Sequence, residues 1–128
     1  MTLTACGESG QNEPRTVVDS FATAYFNWRF NEAEKCVTDY SRQWLRFAAS
    51  QVNAEDVDSL RAMDYAATVE IESINDIDDS TASAIITVSD FLALDSIGKH
   101  PHKESSREFQ IPLSLVGSYW RVNLSRLP

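Results

Sequence analysis

Glycine, proline, cysteine and histidine are scarce in this sequence of 128 residues, with four, four, two and two of each. So few glycines and prolines exclude a collagen-like or low-complexity chain. No apolar run approaches the roughly 18 residues that a membrane-spanning helix needs. The 11 basic residues are outnumbered by 19 acidic ones. This argues against nucleic-acid binding, because phosphate contacts need clustered Lys and Arg. The length and the hydrophobic fraction of 43% indicate one globular domain.

The acidity is concentrated in the middle of the chain. Residues 51–95 hold 11 acidic side chains and 1 basic one, whereas residues 96–128 hold 2 acidic and 5 basic side chains. The pattern indicates solvated turns and surfaces in the middle third. The alternative is a functional acidic face that repels phosphates and anionic membranes.

Leu3-Thr4-Ala5-Cys6 has the form of a bacterial lipobox, in which the cysteine receives a lipid. Residues 7–13 are polar and have no apolar period, which is typical of a flexible tether. The basic and apolar parts of a signal peptide do not fit before Cys6, so the signal would be truncated. We therefore expect a lipid anchor in the cell envelope through Cys6, with residues 1–13 outside the domain. The alternative is an accidental match in a cytoplasmic protein.

Lipidation of Cys6 would leave Cys36 as the single remaining thiol. Cys36 lies in a helical stretch, so we expect it to be buried and inert. A disulfide between the two cysteines is the alternative. His100 and His102 fall in one predicted loop beside two lysines, so we expect neither a catalytic partner for a cysteine nor a metal site.

The first half of the chain predicts helices. From Pro14 onward, apolar residues recur at spacings of three and four, at Val17, Phe21, Tyr25 and Trp28. This predicts an amphipathic helix that begins at Pro14 and ends near Phe30. Possible cap residues predict three shorter helices after it, beginning at Asn31, at Thr38 or Asp39, and at Asn53.

After Met63 the apolar period changes from 3.6 to 2, which predicts strands. Four alternating segments follow, over residues 65–72, 82–89, 108–115 and 120–125. Gly117-Ser118 is predicted to form the hairpin turn between the last two segments, because glycine supplies the positive φ of a primed turn.

The strand register can be predicted from the requirement that one face of the sheet is apolar. This is met when Leu115 lies opposite Trp120, Val88 opposite Phe109, and Val69 opposite Ile86. Amphipathic helices then cover the apolar face. The predicted fold class is α+β, with N-terminal helices packed on the concave face of a curved four-stranded antiparallel sheet.

Asp90 interrupts this apolar face, because it has the same parity as Ile86 and Val88. The predicted register places Arg107 opposite it on one side and Tyr65 on the other. A buried carboxylate needs such partners, so we predict a Tyr65–Asp90–Arg107 cluster at one end of the sheet. It is either a cross-strand ion pair or a functional group, with Asp90 as a general base or Arg107 as the anchor of an acidic ligand.

The order of helix, short helix, helix and four-stranded curved sheet, over residues 14–126, resembles the nuclear transport factor 2-like (cystatin-like α+β cone) superfamily. Asn31–Thr38 and Gly117–Val122 are similar to segments of small bacterial lipoproteins of unknown function in this superfamily. Its members also include ketosteroid isomerases, dehydratases and binding modules, so the fold does not decide the function.

The resemblance implies a site inside the cone, between the first helix and the concave face of the sheet. The residues expected there are mostly aromatic, with the Asp90 cluster at one end: Phe21, Tyr25, Trp28, Trp44, Tyr65, Asp90, Phe91, Arg107, Phe109 and Trp120. They form either a filled aromatic core or an apolar pocket with a tyrosine hydroxyl at its wall.

The function expected from these patterns is non-enzymatic. The domain would bind a small apolar or acidic ligand or a protein partner, without cofactor or metal, and would contact the membrane only through its lipid. One alternative is a ketosteroid-isomerase-like or dehydratase-like enzyme that uses Asp90 with Tyr25 or Tyr65. Another is a cytoplasmic module that forms a homodimer through the polar outer face of the sheet, made of Glu70, Glu72, Thr87, Glu108, Gln110, Arg121 and Asn123.

Overall fold

Helices precede a four-stranded sheet in the computed structural model, which describes residues 13–52, 54–62, 66–93, 102–125 and 128. The helices in these ranges are α1 (Pro14–Phe26), α2 (Phe30–Ala33), α3 (Arg42–Ser50) and α4 (Ala54–Arg61), with a 3₁₀ turn over Glu34–Cys36. The strands are β1 (Thr68–Asp78), β2 (Thr81–Ala93), β3 (His102–Val116) and β4 (Tyr119–Val122). None of the described helices is long and apolar enough to cross a membrane. The predicted α+β class is confirmed.

α1 begins at Pro14 as predicted but ends at Phe26 instead of near Phe30. Trp28 has a φ of 63°, a left-handed conformation that cannot continue a right-handed helix. The chain then enters α2 through Arg29, whose N–H donates to the carbonyl of Ala24 at 2.8 Å.

Two of the predicted helix caps are wrong, and the third cannot be compared. Asn31 lies inside α2, which is capped by Arg29. α3 begins after Ser41, which is its N-cap. Thr38 lies in a turn before the helix, where its Oγ1 accepts a hydrogen bond from the N–H of Ser41 at 3.3 Å. Asn53 lies outside the described residues.

The sheet is an antiparallel meander in the order β1-β2-β3-β4, as predicted. The predicted register of β3 and β4 is confirmed, since Leu115 pairs with Trp120. Gly117 has a φ of 62° in the turn between them, the conformation for which glycine was predicted there.

The other two predicted registers are wrong by two residues. Val88 pairs with Arg107 instead of Phe109, and Val69 pairs with Val88 instead of Ile86. A shift of two keeps every side chain on its face, so the apolar pattern alone could not distinguish the alternatives.

A bulge at Glu72 keeps β1 packed on the core. Ile71 pairs with Ile86, and Ser73 then pairs with the neighbouring Ile85, which leaves Glu72 as the extra residue. Because the bulge reverses the alternation, Ile74 comes opposite the buried Ala84 and joins Val69 and Ile71 against the core.

The core lies between α1, the turn around Cys36 and the inner face of the sheet. Its most buried large side chains include Phe21, Leu45, Ile86, Ile111 and Leu113. The outer face carries the polar residues predicted for it, since Glu70, Glu72, Glu108, Gln110 and Asn123 are exposed and Thr87 and Arg121 are half-buried.

Candidate functional site

Six aromatic rings form a continuous cluster between the helices and the inner face of the sheet. Tyr25 on α1 stacks on Phe21, with ring centroids 5.6 Å apart, and meets Phe30 edge-on at 5.7 Å. Phe91 on β2 and Phe109 on β3 meet each other edge-on at 5.8 Å. The structure therefore brings together four of the residues predicted to line the cone: Phe21, Tyr25, Phe91 and Phe109.

Phe26 joins the two halves of this ring cluster and is not among the residues predicted for the site. Its ring lies 4.9 Å from Tyr25, 5.3 Å from Phe91 and 4.8 Å from Phe109, and it is only 4% exposed. Its spacing of four from Ala22 places it on the buried stripe of the helix and could have identified it.

The hydroxyl of Tyr25 is the polar group of this cluster. Tyr25 is half-buried, and desolvation by its surroundings raises the pKa of its phenol well above the usual value of 10.0. Burial disfavours the charged phenolate. Tyr25 therefore stays neutral at physiological pH and can donate a hydrogen bond, but it is a poor base.

The three tryptophans predicted for the cone lie around the ring cluster, not inside it. Trp28, Trp44 and Trp120 are each half-buried, and Trp44 and Trp120 pack against the core. The indole nitrogen of Trp44 is buried and has no hydrogen-bond partner among the described residues. None of the three makes a ring contact with the six clustered rings in the described part of the chain.

The predicted position of Arg107 opposite Asp90 is wrong, because Arg107 pairs with Val88. Arg107 instead bonds Glu104 through Nη2 and Oε2 at 2.6 Å. Its guanidinium carbon lies 5.7 Å from the ring centroid of Phe91 and 5.8 Å from that of Phe109, which is cation–π distance. Arg107 thus covers one end of the ring cluster.

The regular alternation of β2 is interrupted at Asp90. Its φ is 59°, and the pairing of β2 with β3 skips Asp90 and Ser105. Because of this break, the side chain that packs against the core here is Phe91, which is 2% exposed, instead of Asp90. Within the described residues the Asp90 carboxylate forms no ion pair. Tyr65, the third member of the predicted cluster, lies outside those residues, as do Cys6 and His100.

Cys36 is 2% exposed and disulfide-bonded. The expectation of a buried free thiol is therefore wrong in its chemistry, although the burial is as predicted. A cysteine in a disulfide has no thiolate and cannot act as a nucleophile.

Open grooves lie on the surface of the cone. One, of about 570 Å³, separates the start of α1 from β1 and is lined by Arg15, Thr16, Asp19, Val69, Glu70 and Ile71. Another, of about 580 Å³, lies beside β3 and the C-terminal residues, where Glu108, Gln110, Pro112, Leu124 and Pro128 line it.

This architecture has a counterpart among solved structures. A protein from Campylobacter jejuni, described as a "putative NTF2-like transpeptidase", matches it with a TM-score of 0.55 and 13% sequence identity. The match covers 88% of this chain and 99% of that one. The fold is nuclear transport factor 2-like. At this identity the likeness shows the nuclear transport factor 2-like fold alone. No protein-family model and no curated protein matches the sequence.

Proposed function

We propose that this chain is a non-enzymatic binding domain of the cell envelope, held at the membrane by a lipid on Cys6. We further propose that its partner is a protein that contacts the outside of the cone. The ring cluster carries this proposal, because Phe21, Phe26 and Phe91 are almost fully buried at the place where a ligand pocket was expected. A small apolar ligand would have to displace rings that already pack on one another, and each buried aromatic stabilises the core strongly.

The groove between α1 and β1 is the surface that best fits a protein partner. Its wall combines the half-buried apolar side chains of Val69 and Ile71 with the exposed charges of Arg15, Asp19 and Glu70. Protein interfaces have this mixture of an apolar centre and a polar rim. The groove is also open, so a partner can enter it without moving the ring cluster.

The enzyme alternative is less well supported. An isomerase-type base needs a carboxylate inside an apolar pocket, where its pKa is raised toward neutrality. Phe91, not Asp90, takes the inward position on β2, so the candidate carboxylate is not the group that packs on the rings. An acidic ligand at Arg107 would also have to compete with Glu104 for the guanidinium.

The sulfur of Cys6 can carry a lipid or form a disulfide, but not both. A lipoprotein carries its diacylglyceryl group on that atom as a thioether, so Cys6 could not also be bonded to Cys36. The structure has Cys36 in a disulfide, and the sequence has two cysteines, so the proposed anchor requires a mature protein that forms without this bond.

The anchor is tested by expressing the chain behind a lipoprotein signal peptide and weighing the mature protein. We expect a polypeptide that begins at Cys6, carries the lipid mass and has one alkylatable thiol after denaturation. Cys6→Ser should remain unprocessed and partition into the aqueous phase. A mature protein without lipid and with no alkylatable thiol would contradict the anchor and support the disulfide.

The partner is tested by placing a photo-cross-linking amino acid at Thr16, which is exposed in the groove between α1 and β1. We expect a discrete cross-linked protein from this position in intact cells. Gln43, exposed on α3, is the matched control and should give none. Native mass spectrometry of the full chain supplies the contrary outcome, because a small-molecule adduct that is lost on denaturation would mean that the cone is a ligand pocket.

A further inference from the structure

β1 is an edge strand of the sheet. It pairs with β2 on one side, and among the described residues no strand lies on its other side. Such an edge presents backbone N–H and C=O groups to a further strand. The direction of these groups alternates along a strand, so the register of the sheet determines which residues of β1 offer them.

A bond at the end of β3 gives the starting point for this alternation. The carbonyl of Pro112 accepts the N–H of Asn123 at 3.0 Å, so it faces the side of β4. The backbone groups of the neighbouring Ile111 therefore face the opposite side, toward β2, where Ile111 pairs with Ala84. The backbone groups of Ala84 accordingly face β3.

The same alternation along β2 leads to β1. Because each step along a strand reverses the direction, the backbone groups of Thr87 face β1, opposite to those of Ala84. Thr87 pairs with Glu70, so Glu70 uses its N–H and C=O within the sheet. The two neighbours of Glu70, which are Val69 and Ile71, therefore direct their N–H and C=O groups to the outer side.

The residue before β1 shows what this outer side can bind. The backbone groups of Ala67 face the same way as those of Val69, two residues later. The side chain of Asn27 binds both groups, since the N–H of Ala67 donates to Oδ1 at 2.8 Å and its carbonyl accepts from Nδ2 at 3.3 Å. A side-chain amide thus takes the place of a peptide unit in a neighbouring strand. At Val69 and Ile71, no group of the described residues takes that place.

The groove between α1 and β1 provides room at these same residues. Its volume is about 570 Å³, and Val69, Glu70 and Ile71 form its β1 wall. On the opposite wall, the exposed charges of Arg15 and Asp19 have opposite signs. The exposed carboxylate of Glu70 therefore sets the sign of the charge that a segment in the groove meets.

The side chains of β1 favour a basic partner. The strand has four acidic residues and no basic one: Glu70, Glu72, Asp76 and Asp78. Within the described part of the chain, Glu70 forms no ion pair. Opposite charges that face each other across a strand pair are stabilising, and like charges are destabilising. A second copy of β1 fits poorly, because antiparallel pairing about Glu70 or Ile71 would bring acidic side chains together.

We propose that an extended segment of the protein partner adds to the outer edge of β1 as a further antiparallel strand. A basic residue of this segment lies opposite Glu70, and the apolar residues on either side of it lie beside Val69 and Ile71, which pack against the core. Backbone hydrogen bonds at Val69 and Ile71 supply affinity, and the basic residue supplies selectivity. This inference rests on the proposed function, since it specifies how the partner in the groove between α1 and β1 binds.

The probe is the blocked pentapeptide acetyl-Thr-Val-Lys-Val-Thr-amide, added to the isotope-labelled full chain and followed by NMR. A few backbone hydrogen bonds give roughly millimolar affinity, so the titration extends to about 5 mM. In the free chain, the amides of Val69 and Ile71 should exchange fast with solvent and that of Glu70 slowly. The peptide should bind saturably and slow the exchange of Val69 and Ile71 about fivefold at the highest concentration.

Two N-methylated peptides separate backbone contacts from side-chain contacts. Methylation of both valine nitrogens removes the N–H groups that face Val69 and Ile71, and it should weaken binding about tenfold or more. Methylation of the lysine nitrogen, whose N–H points away from β1, is the matched control and should change the affinity less than about threefold.

Glu70→Lys tests the charge. It should weaken binding of the lysine peptide about threefold or more, and it should favour the analogue that has glutamate in place of the lysine. Glu32→Lys, which is exposed on α2, makes the same charge change elsewhere and should leave both affinities unchanged.

Three outcomes would overturn the proposal. Slow exchange of Val69 and Ile71 in the free chain would mean that another segment of the chain already covers the edge. Equal binding of the valine-methylated peptide would mean that the backbone bonds do not form. No binding at the highest peptide concentration, together with a discrete cross-link from Thr16, would overturn strand addition and leave the proposed function standing. Binding at the β1 edge without any cross-linked protein in cells would support strand addition and contradict the proposed partner instead.

Discussion

Replacing Phe26 with alanine tests whether the cone is filled. Phe26 is 4% exposed and packs on three rings, with Phe109 and Tyr25 closest at 4.8 Å and 4.9 Å. A buried Phe→Ala change costs about 3–5 kcal/mol of unfolding free energy. Within such a loss, each ring contact accounts for about 0.5–1.5 kcal/mol beyond area burial. The Phe→Ala range already includes lost packing, so the three ring contacts place Phe26→Ala in its upper part, at about 4–5 kcal/mol.

The assay is equilibrium urea unfolding, followed by tryptophan fluorescence. Phe47, which is 41% exposed on α3, is the matched control, and Phe47→Ala should lose about 1 kcal/mol or less. Because a 5 kcal/mol loss can approach the whole stability of a domain, Phe26→Leu provides a smaller loss in the same direction.

The new cavity provides a second measurement. An apolar cavity left by a deleted ring stays dry and binds small apolar molecules. Benzene should therefore raise the melting temperature of Phe26→Ala but not that of the wild type. If Phe26→Ala lost less than about 1.5 kcal/mol, or if benzene stabilised the wild type, the ring cluster would not fill the cone and a ligand pocket would be favoured instead.

Three further changes test individual contacts by urea unfolding. Ser41→Ala should cost about 1–3 kcal/mol, because the buried N–H of Leu124 loses its acceptor; a loss below about 0.5 kcal/mol would contradict this. Tyr25 has a raised pKa when folded, so wild-type stability should fall above pH about 10, by up to about 1.4 kcal/mol per pH unit, and Tyr25→Phe should fall less steeply. Asp78 has a lowered pKa because the backbone N–H of Ser80 donates to it. Its contribution should therefore be lost as the pH falls below about 4, and Asp78→Asn should lack that acid-dependent loss.

The fold could be predicted from the sequence because its main signals are local. The change of apolar period after Met63 separated the helices from the strands, and the alternation in each strand identified the face that packs on the core. Gly117-Ser118 fixed the last hairpin, and with it the pairing of Leu115 and Trp120. Each of these features follows from neighbouring residues, without knowledge of distant contacts.

The registers of the earlier strands depend on information that alternation does not contain. Any shift by two residues leaves the apolar faces aligned, so turn geometry has to decide between Ile86 and Val88 as the partner of Val69. The turn after Asp78 makes that choice through the bond from the Ser80 N–H to the Asp78 carboxylate. The end of α1 was missed for a similar reason, because the apolar stripe continues to Trp28 while the backbone there turns left-handed.

The prediction of Asp90 as a residue of the inner face is wrong because of a single backbone break. An unbroken β2 would have kept Asp90 on the inner face and β3 in simple alternation. Asp90 has a left-handed backbone conformation, and neither it nor Ser105 on β3 belongs to the ladder of paired residues. The next residue on β2, Phe91, therefore lies in the ring cluster. Straightening this break should therefore turn Asp90 back toward the inner face of the sheet and withdraw Phe91 from the ring cluster, because the side chains of a regular strand alternate between its faces.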